Sequence, residues 1–246
     1  AMIYAAAQTA DLMVDAARRQ DRATQDKHDD TLGFYTPILK GFLTEMGLEA
    51  ANLGMQVFGG HGYIHEHGME QIARDARIAT LYEGTTGIQA LDLLGRKVLL
   101  GTRGKCVRDF SRIMLRSAKA HWLAHGPIGR MARSTAKRAI EWNLLTLRIM
   151  RRVGKDRDLV GSASVDYLMY SGYVMMAHFW VRQAAVAQTF LRNGKGAESA
   201  EFYRAKIQTA EFYFDRLLPR ADAHRKSALA PTRSLMQMGN GDFAFS

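Results

Sequence analysis

The chain has 246 residues, 47% hydrophobic and 24% charged, which suits one or two domains with a sizeable core. Its single cysteine, Cys106, excludes an intramolecular disulfide framework and a cysteine-rich zinc site, so a cytoplasmic protein is expected and Cys106 is a lone thiol of no assignable chemistry. The formal charge of +10 is concentrated between Lys105 and Val160, where 14 Lys/Arg accompany four acids. Such a block could meet nucleic acid or an anionic partner, although a solvated basic face is the plainer reading. No signal peptide is visible at Ala1-Met2-Ile3-Tyr4. The most apolar stretch, residues 172–191, is broken by His178, Arg182, Gln183 and Gln188, a set that a lipid-exposed span would not tolerate.

In chain order, residues 5–22 carry Leu12, Met13, Ala16 and Ala17 at helical spacing, with Arg18, Arg19 and Arg22 near the negative end of the dipole. Asp26 to Asp30 is expected to be a polar connection, and Thr36-Pro37 an N-cap with proline at the first helical position. From there Ile38, Phe42, Leu43, Met46, Ala50, Leu53 and Val57 predict a long second helix. It should stop at Phe58-Gly59-Gly60-His61-Gly62-Tyr63, where three glycines in four positions make continuation costly. A short helix is predicted over 69–79, a break at Tyr82-Glu83-Gly84-Thr85-Thr86, and a threonine-capped helix over 87–100. Beyond Gly101-Thr102-Arg103-Gly104 the spacing predicts helices over 110–124, 131–153, 164–192 and 197–218, with no clear periodicity after Pro231. No convincing strand pattern occurs, so the expected class is all-α, with a boundary that divides 1–104 from 105–246.

Several motifs are absent. Gly60-x-Gly62 lacks the third glycine of a dinucleotide fingerprint, because His65 stands there, and it follows a helix rather than a strand. Residues 101–106 do not make a P-loop, since Cys106 replaces Ser/Thr. His61, His65 and His67 surround Glu66 without zinc-protease spacing, and hydrogen-bonding loop histidines explain them better than a metal site. Glu83 stands out as a carboxylate between Tyr82 and Gly84 at a break between helices, where it could face a pocket and act as a general base. By spacing alone it reads more readily as a loop residue capping the helix near Thr86.

Three runs together resemble the C-terminal helical domain of the acyl-CoA dehydrogenases over about residues 1–100. They are Gln56-Val57-Phe58-Gly59-Gly60-His61-Gly62-Tyr63, Arg74-Asp75-Ala76-Arg77, and Leu81-Tyr82-Glu83-Gly84-Thr85-Thr86-Gly87-Ile88-Gln89. The wording from Gly87 to Lys97 is similar to a long bacterial branch whose members carry a helical C-terminal extension, which fits 105–246. The resemblance implies a helical bundle and FAD-dependent oxidation of an acyl-CoA thioester, as in fatty acid β-oxidation. It assigns Glu83 as the α-proton base and Gly84 as a substrate contact. FAD would be held by Gln56, Val57, Phe58, Gly59 and Gly60, usually on a neighbouring subunit's cofactor, and by Thr85, Thr86 and Gly87. Many relatives carry Gln or Glu where Gly87 stands, so a side-chain contact is lost there. The histidines become loop residues beside the flavin rather than metal ligands.

The same resemblance implies a homodimer or homotetramer with an electron-transfer flavoprotein as electron acceptor. It also implies a longer enzyme, of which this chain is the C-terminal part, so that the isolated chain is expected to bind FAD weakly or not at all and to be inactive. Two other readings stand beside it: a non-catalytic helical oligomerisation domain and a basic nucleic-acid-binding domain.

Overall fold

In the computed structural model, which describes residues 1–194 and 196–243, helix α1 (Met2–Arg18) runs into a tight reversal through Gln20, at φ 59. Helix α2 (Arg22–Val57) starts where the Asp21 carboxylate accepts the Thr24 N–H at 3.1 Å. The expected connection at Asp26–Asp30 and the expected start at Thr36-Pro37 are both overturned, because the segment is one continuous helix. The Thr36 hydroxyl donates back to the Leu32 carbonyl at 2.8 Å and caps nothing. A proline inside a helix costs about 3 kcal/mol. Here that cost is offset by burial of Phe34, Tyr35, Ile38 and Phe42 around it, each worth roughly 1.5–3 kcal/mol.

Past α2 the chain makes a single helical turn, α3 (Gly60–Tyr63), then α4 (Met69–Ile78) and α5 (Thr86–Leu91). A threonine caps α5, as expected: the helix starts one residue early, at Thr86, and the Thr85 hydroxyl oxygen accepts the Ile88 N–H at 3.4 Å. The helix then continues through widened turns over Asp92–Gly101, seating Leu93, Leu94 and Val98 in the core. At its end the Thr102 N–H reaches the Lys97 carbonyl five residues back, at 3.1 Å.

The remaining helices are α6 (Lys105–Ala120), α7 (Pro127–Val153), α8 (Leu159–Asn193), α9 (Ala200–Phe212), α10 (Arg220–Ser227) and the short α11 (Arg233–Met236). No strand occurs among the described residues, so the fold is all-α. Pro127 opens α7 at a position where its missing N–H costs nothing. Small residues let α6 approach α7: Ala118 meets Ala132 and Ala136, and the Ser111 hydroxyl donates to the Ala139 carbonyl. One apolar cluster runs through the molecule, from Ile38 and Phe42 of α2 through Trp142 of α7 to Leu168 of α8 and Tyr213 beyond α9.

The sequence pattern gives no sign of α10, which is almost wholly polar. Two arginine–carboxylate ion pairs and one histidine–carboxylate contact hold it instead. The Arg138 guanidinium grips Asp222 with both arms at 2.6 and 2.8 Å and also reaches Glu141 at 2.8 Å. Arg220 bonds Glu49 of α2 at 2.6 and 2.9 Å, and His224 meets Asp166 of α8 at 2.8 Å while stacking on Tyr173. The basic block is therefore only partly a solvated face. Arg138 ties α7 to α10, Arg130 reaches Glu211 and Asp215, and the Arg152 side chain donates to the Leu229 carbonyl.

At the crossing of α2 and α8, a Cβ on Gly172 would stand 2.1 Å from the Phe42 ring, and one on Gly41 would stand 2.7 Å from Leu168. Overpacking of this kind typically costs about 1–3 kcal/mol, so Gly172→Ala is expected to lower the unfolding free energy by about that much, read in urea titrations as a lower midpoint. His178 of α8 is buried against Phe110, its Nδ1 without a partner, and burial, with a smaller contribution from Arg182, holds its pKa down to about 4. The folded state keeps this imidazole neutral while the unfolded chain protonates it near pH 6.5, so the contribution is complete above pH 6.5 and lost as pH falls towards 4. Unfolding titrations of wild type and His178→Leu should diverge over that window, wild type losing about 3 kcal/mol more.

Candidate active site

The loop between α4 and α5 holds the first candidate group. Glu83 sits at φ 54, in the left-handed region that a non-glycine residue rarely occupies, and Gly84 follows at φ 87. A strained residue of this sort costs about 1–3 kcal/mol and persists only where its surroundings impose it. The surroundings here are two donors. The Gln89 side-chain amide gives a hydrogen bond to the Glu83 carbonyl at 3.1 Å, and Lys40 Nζ gives one to the Gly84 carbonyl at 2.7 Å. Lys40 also donates to the Ala79 carbonyl at 2.9 Å and lies 5.7 Å from the Tyr82 ring centroid. Glu83 itself is exposed; among the described residues its carboxylate makes no ion pair, and its N–H and that of Gly84 find no acceptor.

Gln56, Val57, Phe58, Gly59 and Gly60 form a second exposed patch at the end of α2. Val57 and Phe58 keep 85% and 50% of their surface in solvent, an unusual exposure for adjacent apolar residues. A Cβ on Gly59 or Gly60 would meet nothing within 4 Å, so another group has room to approach this backbone. Gly62 is different: a Cβ there would stand 2.3 Å from the Met55 carbonyl oxygen, which makes it a packing glycine.

Gln56 and Thr86 line one groove of about 700 Å³, together with Glu45, Glu49, Asn52 and, from α8, Val165 and Met169. Glu83 lies outside that groove, as do Val57 to Gly60. Thr85 spends its lone pair on the helix cap and keeps its proton free to donate, whereas Thr86 donates to Glu45 and keeps lone pairs free to accept. A Cβ on Gly87 would meet only the Thr85 hydroxyl oxygen, at 4.0 Å, an ordinary contact, so sterics do not require glycine there.

The histidines bond locally. His65 meets Glu70 at 2.9 Å and His61 rests edge-on against His67, and no metal-ligating cluster occurs among the described residues. Arg74, Asp75 and Arg77 line an open cleft between α2 and α4, where Gln71 donates to Asp75 at 2.7 Å. The Cys106 thiol is half-buried, which pushes its pKa up, and it accepts the Thr102 hydroxyl at 3.0 Å. Sequence reading missed Lys40, although a lone cation between Leu39 and Gly41 in the apolar run from Ile38 to Leu43 was a usable signal.

The bundle thus carries an exposed carboxylate on a restrained loop and, separately, an open glycine turn at the end of α2. Residues 1–99 match the family described as acyl-CoA dehydrogenase, C-terminal domain, and residues 108–239 match acetyl-CoA dehydrogenase C-terminal like. The chain belongs to the acyl-CoA dehydrogenase family. It is 37% identical to the 3-methylmercaptopropionyl-CoA dehydrogenase of Ruegeria pomeroyi, over 77% of this chain and 32% of that protein. It is 27% identical to the broad-specificity linear acyl-CoA dehydrogenase FadE5 of Mycobacterium tuberculosis, over 84% and 34%. A butyryl-CoA dehydrogenase of Syntrophomonas wolfei is 28% identical over 89% and 35%. The chain thus spans about a third of the length of these curated relatives. No helix among the described residues is long and apolar enough to cross a membrane.

The two glycine environments differ in what a side chain would meet. Gly62→Ala is expected to lower stability by about 1–3 kcal/mol through collision with the Met55 carbonyl. Gly60→Ala, with open space around it and a better helix former in place, should leave the thermal midpoint unchanged or slightly raised. Thermal unfolding of the two variants side by side checks both.

Proposed function

We propose that this chain is the C-terminal helical part of a FAD-dependent acyl-CoA dehydrogenase, with residues 1–104 as the family's bundle and 105–246 as its extension. The observation that carries the reading is Glu83, an exposed, unpaired carboxylate on a left-handed residue whose own and following carbonyls are tied inward. A carboxylate held this way can take a proton from the α-carbon of a bound thioester. The Glu83 N–H, which has no acceptor of its own among the described residues, is free to donate to the thioester oxygen as negative charge develops there. Gly84 leaves the approach to that oxygen unobstructed by a side chain.

Where FAD is bound it would supply the oxidising chemistry, a site for the β-hydrogen and its electron pair, and the thioester would leave as the trans-2-enoyl product. Gln56 to Gly60 suit such a group because their backbone and the apolar faces of Val57 and Phe58 are uncovered. Thr85 has a proton to donate and Thr86 lone pairs to accept, which suits the polar adenine end, while Gly87 contributes room rather than a contact. Homo-oligomerisation follows if the flavin at Gln56–Gly60 belongs to a neighbouring subunit. An electron-transfer flavoprotein as acceptor, a place in fatty acid β-oxidation and a cytoplasmic location complete the reading.

Two measurements test it. The isolated chain, incubated with FAD and desalted, is expected to be colourless and to bleach no added flavin with octanoyl-CoA; dehydrogenation by the chain alone would overturn the C-terminal-part reading. In the full-length enzyme, Glu83→Gln should slow flavin reduction by acyl-CoA by about 10²–10⁴-fold, the usual worth of a positioned base. Turnover unchanged by Glu83→Gln would instead leave a helical assembly domain.

A further inference from the structure

We infer that Lys40 is the positioning residue of the Glu83 loop, a role that rests on the reading of Glu83 as base. Its side chain leaves α2 between buried Ile38 and Gly41 and ends at the loop, where one ammonium group donates to the carbonyls of both Ala79 and Gly84. Those two carbonyls bracket the connection from the end of α4 to the start of α5. One cation thus closes the whole turn that carries Glu83, and it does so from 39 and 44 residues earlier in the chain.

Three features make this more than an incidental contact. The Ala79 carbonyl lies at the C-terminal end of α4, where the helix dipole favours a positive charge. The Glu83 carbonyl belongs to the peptide plane between Glu83 and Gly84 and the Gly84 carbonyl to the next one, so Gln89 and Lys40 together fix the two successive planes that follow the base. The ammonium also rests beside the Tyr82 ring at 5.7 Å, which restrains the residue before the base. A donor of three protons on a flexible stem can serve two carbonyls and a ring face together, whereas a neutral side chain of similar length cannot. Lys40 touches no reacting atom in this scheme. It acts by holding Glu83 in its left-handed conformation, and through that the direction of the carboxylate and the backbone N–H.

The test uses the full-length enzyme with Lys40→Met, Lys40→Arg and Glu83→Gln, read by stopped-flow flavin reduction over a range of octanoyl-CoA concentrations. Lys40→Met is expected to lower the limiting reduction rate about 10–100-fold, the scale of a misplacement near 1 Å, with substrate affinity, flavin content and thermal midpoint retained. Lys40→Arg should restore part of the rate, and hydrogen exchange at the amides of residues 81–84 should quicken in Lys40→Met alone. Where Lys40→Met does not accumulate as folded protein, Lys40→Gln takes its place with the same expectation. A wild-type limiting rate in the neutral variant, or a loss that only follows lost flavin or lowered midpoint, overturns the inference. If Glu83→Gln is inactive while the neutral Lys40 variant is unaffected, only the role of Lys40 falls; if Glu83→Gln is fully active, the assignment of the base falls first.

Discussion

Where α2 crosses α8, each helix presents a glycine to the other's large side chain. Leu168 of α8 sits over Gly41, and Phe42 of α2 sits over Gly172, with Tyr173 edge-on to the Phe42 ring at 4.9 Å. A glycine inside a helix costs about 1 kcal/mol relative to alanine. Two such sites persist because the close approach they allow buries Phe42 and Leu168 completely. The crossing sets the distance between residues that sequence assigns to different halves of the chain, and the apolar cluster runs through it without interruption.

The candidate site takes its reference from the same short stretch. Lys40, Gly41 and Phe42 are consecutive, yet they serve three neighbours. Lys40 reaches the Glu83 loop, Gly41 receives Leu168 and lies near Gln89, and Phe42 fills the space over Gly172. Gln89 then returns to the Glu83 carbonyl. The strained loop is therefore held from one side by a helix that is itself locked against α8. A strain of about 1–3 kcal/mol at Glu83 is small beside the apolar burial that fixes α2, which explains how an exposed loop can keep an unfavourable backbone angle.

Most helices, the class and the run of motif residues were legible because they depend on local pattern: apolar spacing, glycine stops and the threonine cap at Thr85. What was not legible depends on tertiary partners. Thr36-Pro37 carries every local mark of a helix start, but burial of Phe34, Tyr35, Ile38 and Phe42 overrides it and draws the proline into the middle of α2. Helix α10 has no apolar stripe to read, since Arg138, Glu49 and Asp166 hold it from three other helices. Glu83 was recognisable through its neighbours in sequence. Its positive φ, and the lysine that accompanies it, become visible only when α2 and the loop are side by side.

The basic block from Lys105 to Val160 shows the same difference between composition and position. Read as a sum, it is a charge excess looking for an anionic partner. In place, Arg130, Arg138 and Arg152 are occupied in joining α7 to the later helices and to the Leu229 carbonyl, and the acids that meet them lie mostly outside the block. Charge separated along the chain is thereby recombined in space. The later helices that these bonds secure pack in turn on α8, and α8 contributes Val165 and Met169 to the wall of the groove that also holds Gln56 and Thr86. The second half of the chain is thus part of the surroundings of the first half's candidate cofactor residues, and changes in its packing can be felt there.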